Sequence, residues 1–156
     1  MIAQGRVAGF MNDRLYAGLL GQKFTGNGRR ESYRHTPLPR MTNTYLAAGQ
    51  DDPQKIIASV EKGLFVKKLG GGQVDVTNGN FVFEITEGYL LKDGQIGKPI
   101  RGATLVGNGI TVLKDIDMVG TDLHFIPGVC GKGQSAPVSD GQPTVRIPSI
   151  IVGGQK

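Results

Sequence analysis

The stretch Gly128-Val129-Cys130-Gly131-Lys132-Gly133-Gln134 holds the one cysteine of a 156-residue chain. A lone cysteine cannot close an internal disulfide, so three chemistries stay open at this point: a small buried hydrophobe, a nucleophile, or one ligand of a metal. A nucleophile needs a base, and His124 lies six residues away. A metal needs further donors, and the chain offers only two histidines, His35 and His124. Any site built on Cys130 is therefore expected to be shared with donors from elsewhere. Glycines around the sulfur let backbone approach a ligand closely, and Lys132 beside it would favour the thiolate.

A second set of candidates is cationic. Arg29, Arg30, Arg34 and Arg40 are answered locally only by Glu31. Residues 1–70 carry eleven Lys/Arg against five Asp/Glu, whereas 71–156 carry seven against eight, so the net charge of +5 is unevenly placed. Arg29, Arg30 and Arg40 have two readings, a clamp on a substrate carboxylate or partner subunit, and bracing bonds to loop carbonyls. His35, in the same stretch, is a candidate substrate contact or an ordinary polar loop residue. Nucleic-acid binding is not expected, because no aromatic stacking series or reader motif accompanies the charge. Gly70-Gly71-Gly72 lacks the Lys-Ser/Thr of a phosphate loop. It fits a flexible turn or a strip, at Gly71 and Gly72, where an extended peptide lies against backbone. Glu84 and Glu87 fall on opposite faces of a strand, so they do not form an acid–base pair.

The elements that must position these residues are short. Twenty-five glycines punctuate brief apolar runs, which suits a β-dominated α+β fold, an antiparallel barrel-like or sandwich-like sheet with two or three short helices. A helix is predicted from Asn12 or Asp13 to Leu20, with Leu15, Leu19 and Leu20 on one side. A second starts at Asp51-Asp52-Pro53 and presents Ile56, Ile57 and Val60 before Gly63. Residues 23–44 read as an irregular functional loop, and 110–116 as one or two helical turns. Asn78-Gly79 and Asp93-Gly94 predict hairpins on either side of a strand with Phe81, Phe83 and Ile85 on one face. Further strands are predicted at Val7–Met11, Met41–Ala48, Leu64–Leu69, Met118–Ile126, Pro143–Ile147 and Ile150–Val152. His124 is expected to be half-buried. The whole chain, 1–156, reads as one domain. No apolar run is long enough to cross a bilayer, no secretory signal opens the chain, and the single cysteine suits a cytoplasmic location.

Taken in order, several segments resemble the TldD/PmbA family of zinc metallopeptidases, also called modulators of DNA gyrase. They are Gly26-Asn27-Gly28-Arg29-Arg30-Glu31-Ser32-Tyr33, Pro37-Leu38-Pro39-Arg40-Met41-Thr42-Asn43-Thr44 and Gly70-Gly71-Gly72-Gln73-Val74-Asp75-Val76 with Phe81-Val82-Phe83. Arg101-Gly102-Ala103-Thr104-Leu105-Val106-Gly107, Met118-Val119-Gly120 and Val129-Cys130-Gly131-Lys132-Gly133-Gln134 complete the series. The resemblance is to the carboxy-terminal region, and the cysteine points to the TldD-type branch. It implies a cytoplasmic enzyme that trims small or unfolded peptides with a metal-activated water. It implies zinc as cofactor with Cys130 as one ligand, and a dimer with itself or with a PmbA-type partner subunit. The family's H-E-x-x-x-H is absent here, since neither His35 nor His124 precedes a Glu. The chain is thus expected to be a carboxy-terminal module that is inactive alone, its zinc completed by the missing amino-terminal region. Two alternatives are a non-catalytic assembly module and a nucleic-acid-associated, gyrase-modulating protein.

Overall fold

A computed structural model describes residues 1–154. In chain order the elements are β1 (Ile2–Ala3), β2 (Arg6–Val7), α1 (Arg14–Leu20), β3 (Gly28–Arg29), β4 (Leu38–Pro39), β5 (Asn43–Tyr45) and α2 (Pro53–Ala58). Then come β6 (Lys62–Val74), β7 (Asn80–Lys92), β8 (Gln95–Pro99), β9 (Ala103–Asn108) and α3 (Gly109–Asp115). The last are β10 (Met118–Val119), β11 (His124–Gly131), β12 (Ser135–Gln142), β13 (Val145–Arg146) and β14 (Ile151–Gly154). Strand makes up 48% and helix 13%, so the expected β-dominated class with short helices holds. The sheets are mostly antiparallel, and among the described residues none closes into a barrel.

The residues form two compact units, one joining 1–47 to 123–142, the other joining 48–122 to the segment from 143 onward. In the first unit, the β1–β2 hairpin turns at Gln4 and Gly5, both at positive φ, the backbone that a tight two-residue hairpin requires. Helix α1 is capped by the Asp13 side chain, which accepts from the Tyr16 amide, and Gly21 ends it in the left-handed region. β11 and β12 form an antiparallel hairpin, and β5 adds to β12 in parallel through Asn43, Thr44 and Tyr45. Tyr45 packs edge-on against Phe125, ring centroids 5.3 Å apart.

In the second unit, β7 is the spine of a five-stranded sheet. β6 lies along one edge of it; on the other edge β9 pairs with Asn80–Glu84 and β8 with Tyr89–Lys92. Phe81, Phe83 and Ile85 share the covered face, as their alternation predicts, and Ile85 and Leu91 are core residues. Asp93 and Gly94 turn β7 into β8 at positive φ. Asp52 caps α2 at the Gln54 amide with Pro53 in the first turn, and α2 buries Ile56. Asn108 caps α3, which covers the predicted helical turns.

Several boundaries depart from expectation, each for a local reason. The Gly70-Gly71-Gly72 run is not a turn: β6 passes through it, with register shifts between Val66 and Gly72. A side chain at Gly70 would collide with Thr86, and one at Gly72 with Phe83 and the Val82 carbonyl, so the glycines make room for β7. The strand predicted at Val7–Met11 stops at Val7, and Met41–Ala48 shrinks to β5. α2 ends at Ser59 rather than Gly63, which lies inside β6. The strand predicted across Met118–Ile126 is two, β10 and β11, broken where Asp122 accepts from the Thr144 amide and hydroxyl at 2.9 and 2.7 Å. α1 buries Ala17, while Leu15, Leu19 and Leu20 are exposed.

Two consequences are measurable. Gly72→Ala is expected to cost about 1–3 kcal/mol of stability in denaturant unfolding, because the methyl group overpacks against Phe83. Gly71→Ala meets open space and is expected to be near neutral. The second consequence concerns acid. The Arg146 guanidinium beside Asp117 and the Lys67 ammonium beside Glu87 hold both carboxyls below their ordinary range. A carboxyl whose folded pKa lies below its unfolded one contributes stability above the unfolded value, about 4, and loses it as pH falls through the folded value. The melting temperature is therefore expected to fall below about pH 4. Asp117→Asn should shrink that acid-side dependence while leaving the slope near pH 7 unchanged.

Candidate functional site

The candidate site lies wholly in the first unit, where the arginine-rich loop is stitched to the hairpin that carries Cys130. Cys130 sits near the end of β11, opposite Ala136 of β12, and is half-buried with its thiol free. The turn proper falls at Lys132-Gly133, after the cysteine, with Gly133 at φ 67. Arg40 reaches under this strand, and its Nη2 donates to the Cys130 carbonyl. Its own backbone is held by Asn27, through Arg40 N–H to Asn27 O at 2.9 Å and Asn27 Nδ2 to Arg40 O at 3.1 Å.

Four further bonds join the same two segments. The Lys132 ammonium donates to the Pro39 carbonyl at 3.2 Å, so it braces the loop. Gln134 donates through Nε2 to Thr36 O at 2.9 Å and accepts through Oε1 from the Glu31 amide at 2.8 Å. Glu31 returns the contact, its carboxylate accepting from the Ser135 amide at 2.5 Å. Glu31 thus exchanges bonds with the Gln134–Ser135 pair across more than a hundred residues of chain. Their sequence signal was slight: the one acid in a basic cluster, and a glutamine in a glycine-rich motif.

The remaining candidates separate. Arg29 donates from Nη1 to Met41 O at 3.0 Å and from Nη2 to Pro137 O at 2.6 Å, which is the bracing arrangement. Together with Thr42, Asn43, Pro137, Val138 and Ser139 it also lines a shallow open cleft where β5 meets β12. Arg30 is exposed. His35 is half-buried, with Nδ1 3.0 Å from the Ser32 hydroxyl. His124 is exposed rather than half-buried. Six residues along β11 put it about 20 Å from Cys130, too far to share an ion or act as its base. Gly71 and Gly72 belong to the other unit, in β6, where Gly72 backs onto Phe83.

Among the described residues, no three His, Cys, Asp or Glu side chains converge on a point that could hold a metal. Cys130 is one soft donor where a zinc site needs three or four protein ligands. This donor set does not fit zinc by itself.

Comparison with known proteins gives this arrangement a family. Residues 1–154 match the family model described as the PmbA/TldA metallopeptidase C-terminal domain. The chain belongs to the PmbA/TldD metallopeptidase family and represents its carboxy-terminal domain. It is 52% identical over 157 residues to a metalloprotease TldD homolog of Haemophilus influenzae, covering 99% of this chain and 33% of that one. It is 37% identical over 155 residues to a zinc metalloprotease TldD homolog of Saccharolobus solfataricus, covering 99% and 35%. The chain thus spans about a third of the length of these relatives. Among solved structures, TldE from Thermococcus kodakarensis superposes with a TM-score of 0.77 at 21% identity, over 94% of this chain and 31% of that one. That likeness is one of fold. No helix among the described residues is long and apolar enough to cross a membrane.

The stitching predicts a local effect. Glu31→Ala frees the Ser135 amide, so hydrogen exchange at Ser135 should speed up by at least tenfold, about 1.4 kcal/mol of lost protection. Amides of the β6–β7 ladder should be unaffected.

Proposed function

We propose that this chain is the carboxy-terminal module of a TldD-type zinc metallopeptidase that trims small or unfolded peptides in the cytoplasm. The observation that carries the reading is the match of the whole described chain to the family's C-terminal domain, with a free, half-buried Cys130 on a strand pinned by Arg40. In this reading Cys130 supplies one thiolate ligand to zinc. The other donors and the general base come from the family's H-E-x-x-x-H, which this sequence does not contain. A Saccharolobus relative named as a zinc metalloprotease supports the choice of metal. Because Cys130 is a single donor, no chemical step is assigned to the chain alone.

What the chain's own residues do is hold and present. Arg40, Lys132, Gln134 and Glu31 keep the thiol strand fixed against the loop, so a ligand offered there has one geometry. The open cleft lined by Arg29, Thr42, Asn43 and Ser139 is proposed as part of the surface along which peptide lies. Arg30 and His35 lie in the same loop as contacts for substrate or partner. Gly71, beside open space in β6, offers bare backbone to an extended chain. The assembly is proposed to be a dimer, with a second copy or with a PmbA-type subunit, and 1–156 acts as one module within it.

Metal analysis and peptidase assays test this. The isolated chain is expected to retain well under one zinc per molecule and to cleave no peptide. In a TldD-type protein containing this domain, Cys130→Ser is expected to lower zinc occupancy and chelator-sensitive peptidase activity by about 100-fold or more. Full zinc and full activity in that variant would remove Cys130 from the site.

A further inference from the structure

We propose that Arg40 is the floor of a carboxylate-binding seat beneath the thiol strand. Arg40 is 2% exposed, and it is the largest side chain the fold buries completely. A guanidinium has five N–H donors and cannot discharge by losing a proton. Here Nη2 meets the Cys130 carbonyl, while Nε and Nη1 are buried with no acceptor. Neither ion pair among the described residues involves Arg40. Glu31, the acid of the loop, already accepts from Ser135.

The same unit satisfies its two other buried polar side chains: Asp13, 6% exposed, accepts from the Tyr16 amide at 2.9 Å. Asn12, 3% exposed, donates from Nδ2 to Lys23 O and accepts through Oδ1 from the Thr25 amide, at 2.9 and 2.8 Å. Arg40 is therefore a specific exception, of the kind that an absent ion or ligand explains. Each two-donor edge of a guanidinium pairs Nη2 with Nε or with Nη1; the second Nη2 hydrogen, not used by the Cys130 carbonyl, completes such an edge, and it calls for a group with negative charge and two oxygens in one plane, which is a carboxylate. The surroundings favour an anion: the first unit carries eight Lys/Arg against three Asp/Glu, and the second ten against ten, so all the net charge of +5 lies in the unit that holds Arg40. Thr42 and Asn43, just after Arg40, line the open cleft. Because the guanidinium is covered in the free chain, filling the seat requires the loop to part from the hairpin. The bonds that must yield, Lys132 to Pro39, Gln134 to Thr36 and the two that Glu31 makes with Gln134 and Ser135, are all exposed to water.

The inference deepens the peptidase reading by choosing a peptide's terminal carboxylate as the end that is held, but the binding it describes needs no metal. The test uses the full chain without metal. N-acetyl-Ala-Ala is titrated against its amide, with acetate as a small carboxylate, while amide NMR shifts and melting temperature are followed. The dipeptide acid is expected to bind at least about tenfold tighter than its amide and to raise the melting temperature. Shifts should centre on Arg40 and Cys130. Acetate shifting the same amides, as strongly as the dipeptide acid, would show that any small carboxylate fills the seat; a stronger response to the dipeptide would assign it to a peptide end.

Arg40→Met keeps an unbranched apolar stem and removes an unmatched buried charge. It is expected to lose the preference for acid over amide and to melt higher than the parent without ligand. Arg40→Lys should keep the fold and lose most of the preference, since an ammonium cannot present a two-donor edge. Equal binding of acid and amide, binding of neither, or a preference unchanged in Arg40→Lys would overturn the proposal. So would an Arg40→Met chain that melts lower or fails to fold, which would make Arg40 a structural clasp. None of these results bears on zinc retention by Cys130, which the Cys130→Ser comparison decides separately.

Discussion

The first unit is organised around a cation that has been taken out of water. Desolvating a guanidinium costs several kcal/mol, and one neutral carbonyl returns little of that. Arg40 is nonetheless buried, anchored at its backbone by Asn27 and at its tip by the Cys130 carbonyl. Loop and hairpin are therefore linked through this one buried side chain. The contacts of Glu31, Lys132 and Gln134 form around that link and are individually weak, since each is exposed to solvent. A fold selected for stability alone would replace such a residue with an apolar one of similar volume. Packing alone therefore does not account for Arg40.

The second unit shows the opposite economy. Two ion pairs, Lys67 with Glu87 and Arg146 with Asp117, sit at its surface, and its sheet is held by apolar alternation along β7. Where that alternation would clash with the neighbouring strand, glycine is used. Gly70 and Gly72 stand opposite Thr86 and Phe83, and the register of β6 slips around them. The run of three glycines is thus an accommodation to close packing, not a hinge.

Features written in local chemistry were legible in the sequence. Asp13 with Gly21, Asp52 with Pro53, and the Asn-Gly and Asp-Gly dipeptides set helix ends and turns within a few residues, so α1, α2, β7 and β8 lie close to where they were expected. Cys130 and the loop around Arg40 stood out because the cysteine is single and the loop's arginines are answered locally only by Glu31. What could not be read depends on partners far away in the chain. β12 has the sequence Ser-Ala-Pro-Val-Ser-Asp-Gly-Gln, which carries no strand alternation, and it is a strand because β11 and β5 pair with it on both sides. The fate of each arginine was equally hidden, since Arg29 finds its carbonyl on Pro137 only after folding. The leucines of α1 gave a helical face but not its covering, for it is Ala17 that is buried.

The parallel pairing of β5 with β12 has a temporal side. The side chains of Asn43 and Ser139 that meet there are 96 residues apart. At about 5–20 residues per second of synthesis, β5 waits roughly 5–20 seconds for its neighbour to leave the ribosome. Phe10, Leu15, Leu19, Leu20 and Phe24 of the same unit are exposed even in the finished structure. The intervening segment, 48–122, contains its own complete hairpins and can condense first. The first unit thus closes during synthesis only after most of the second has been made.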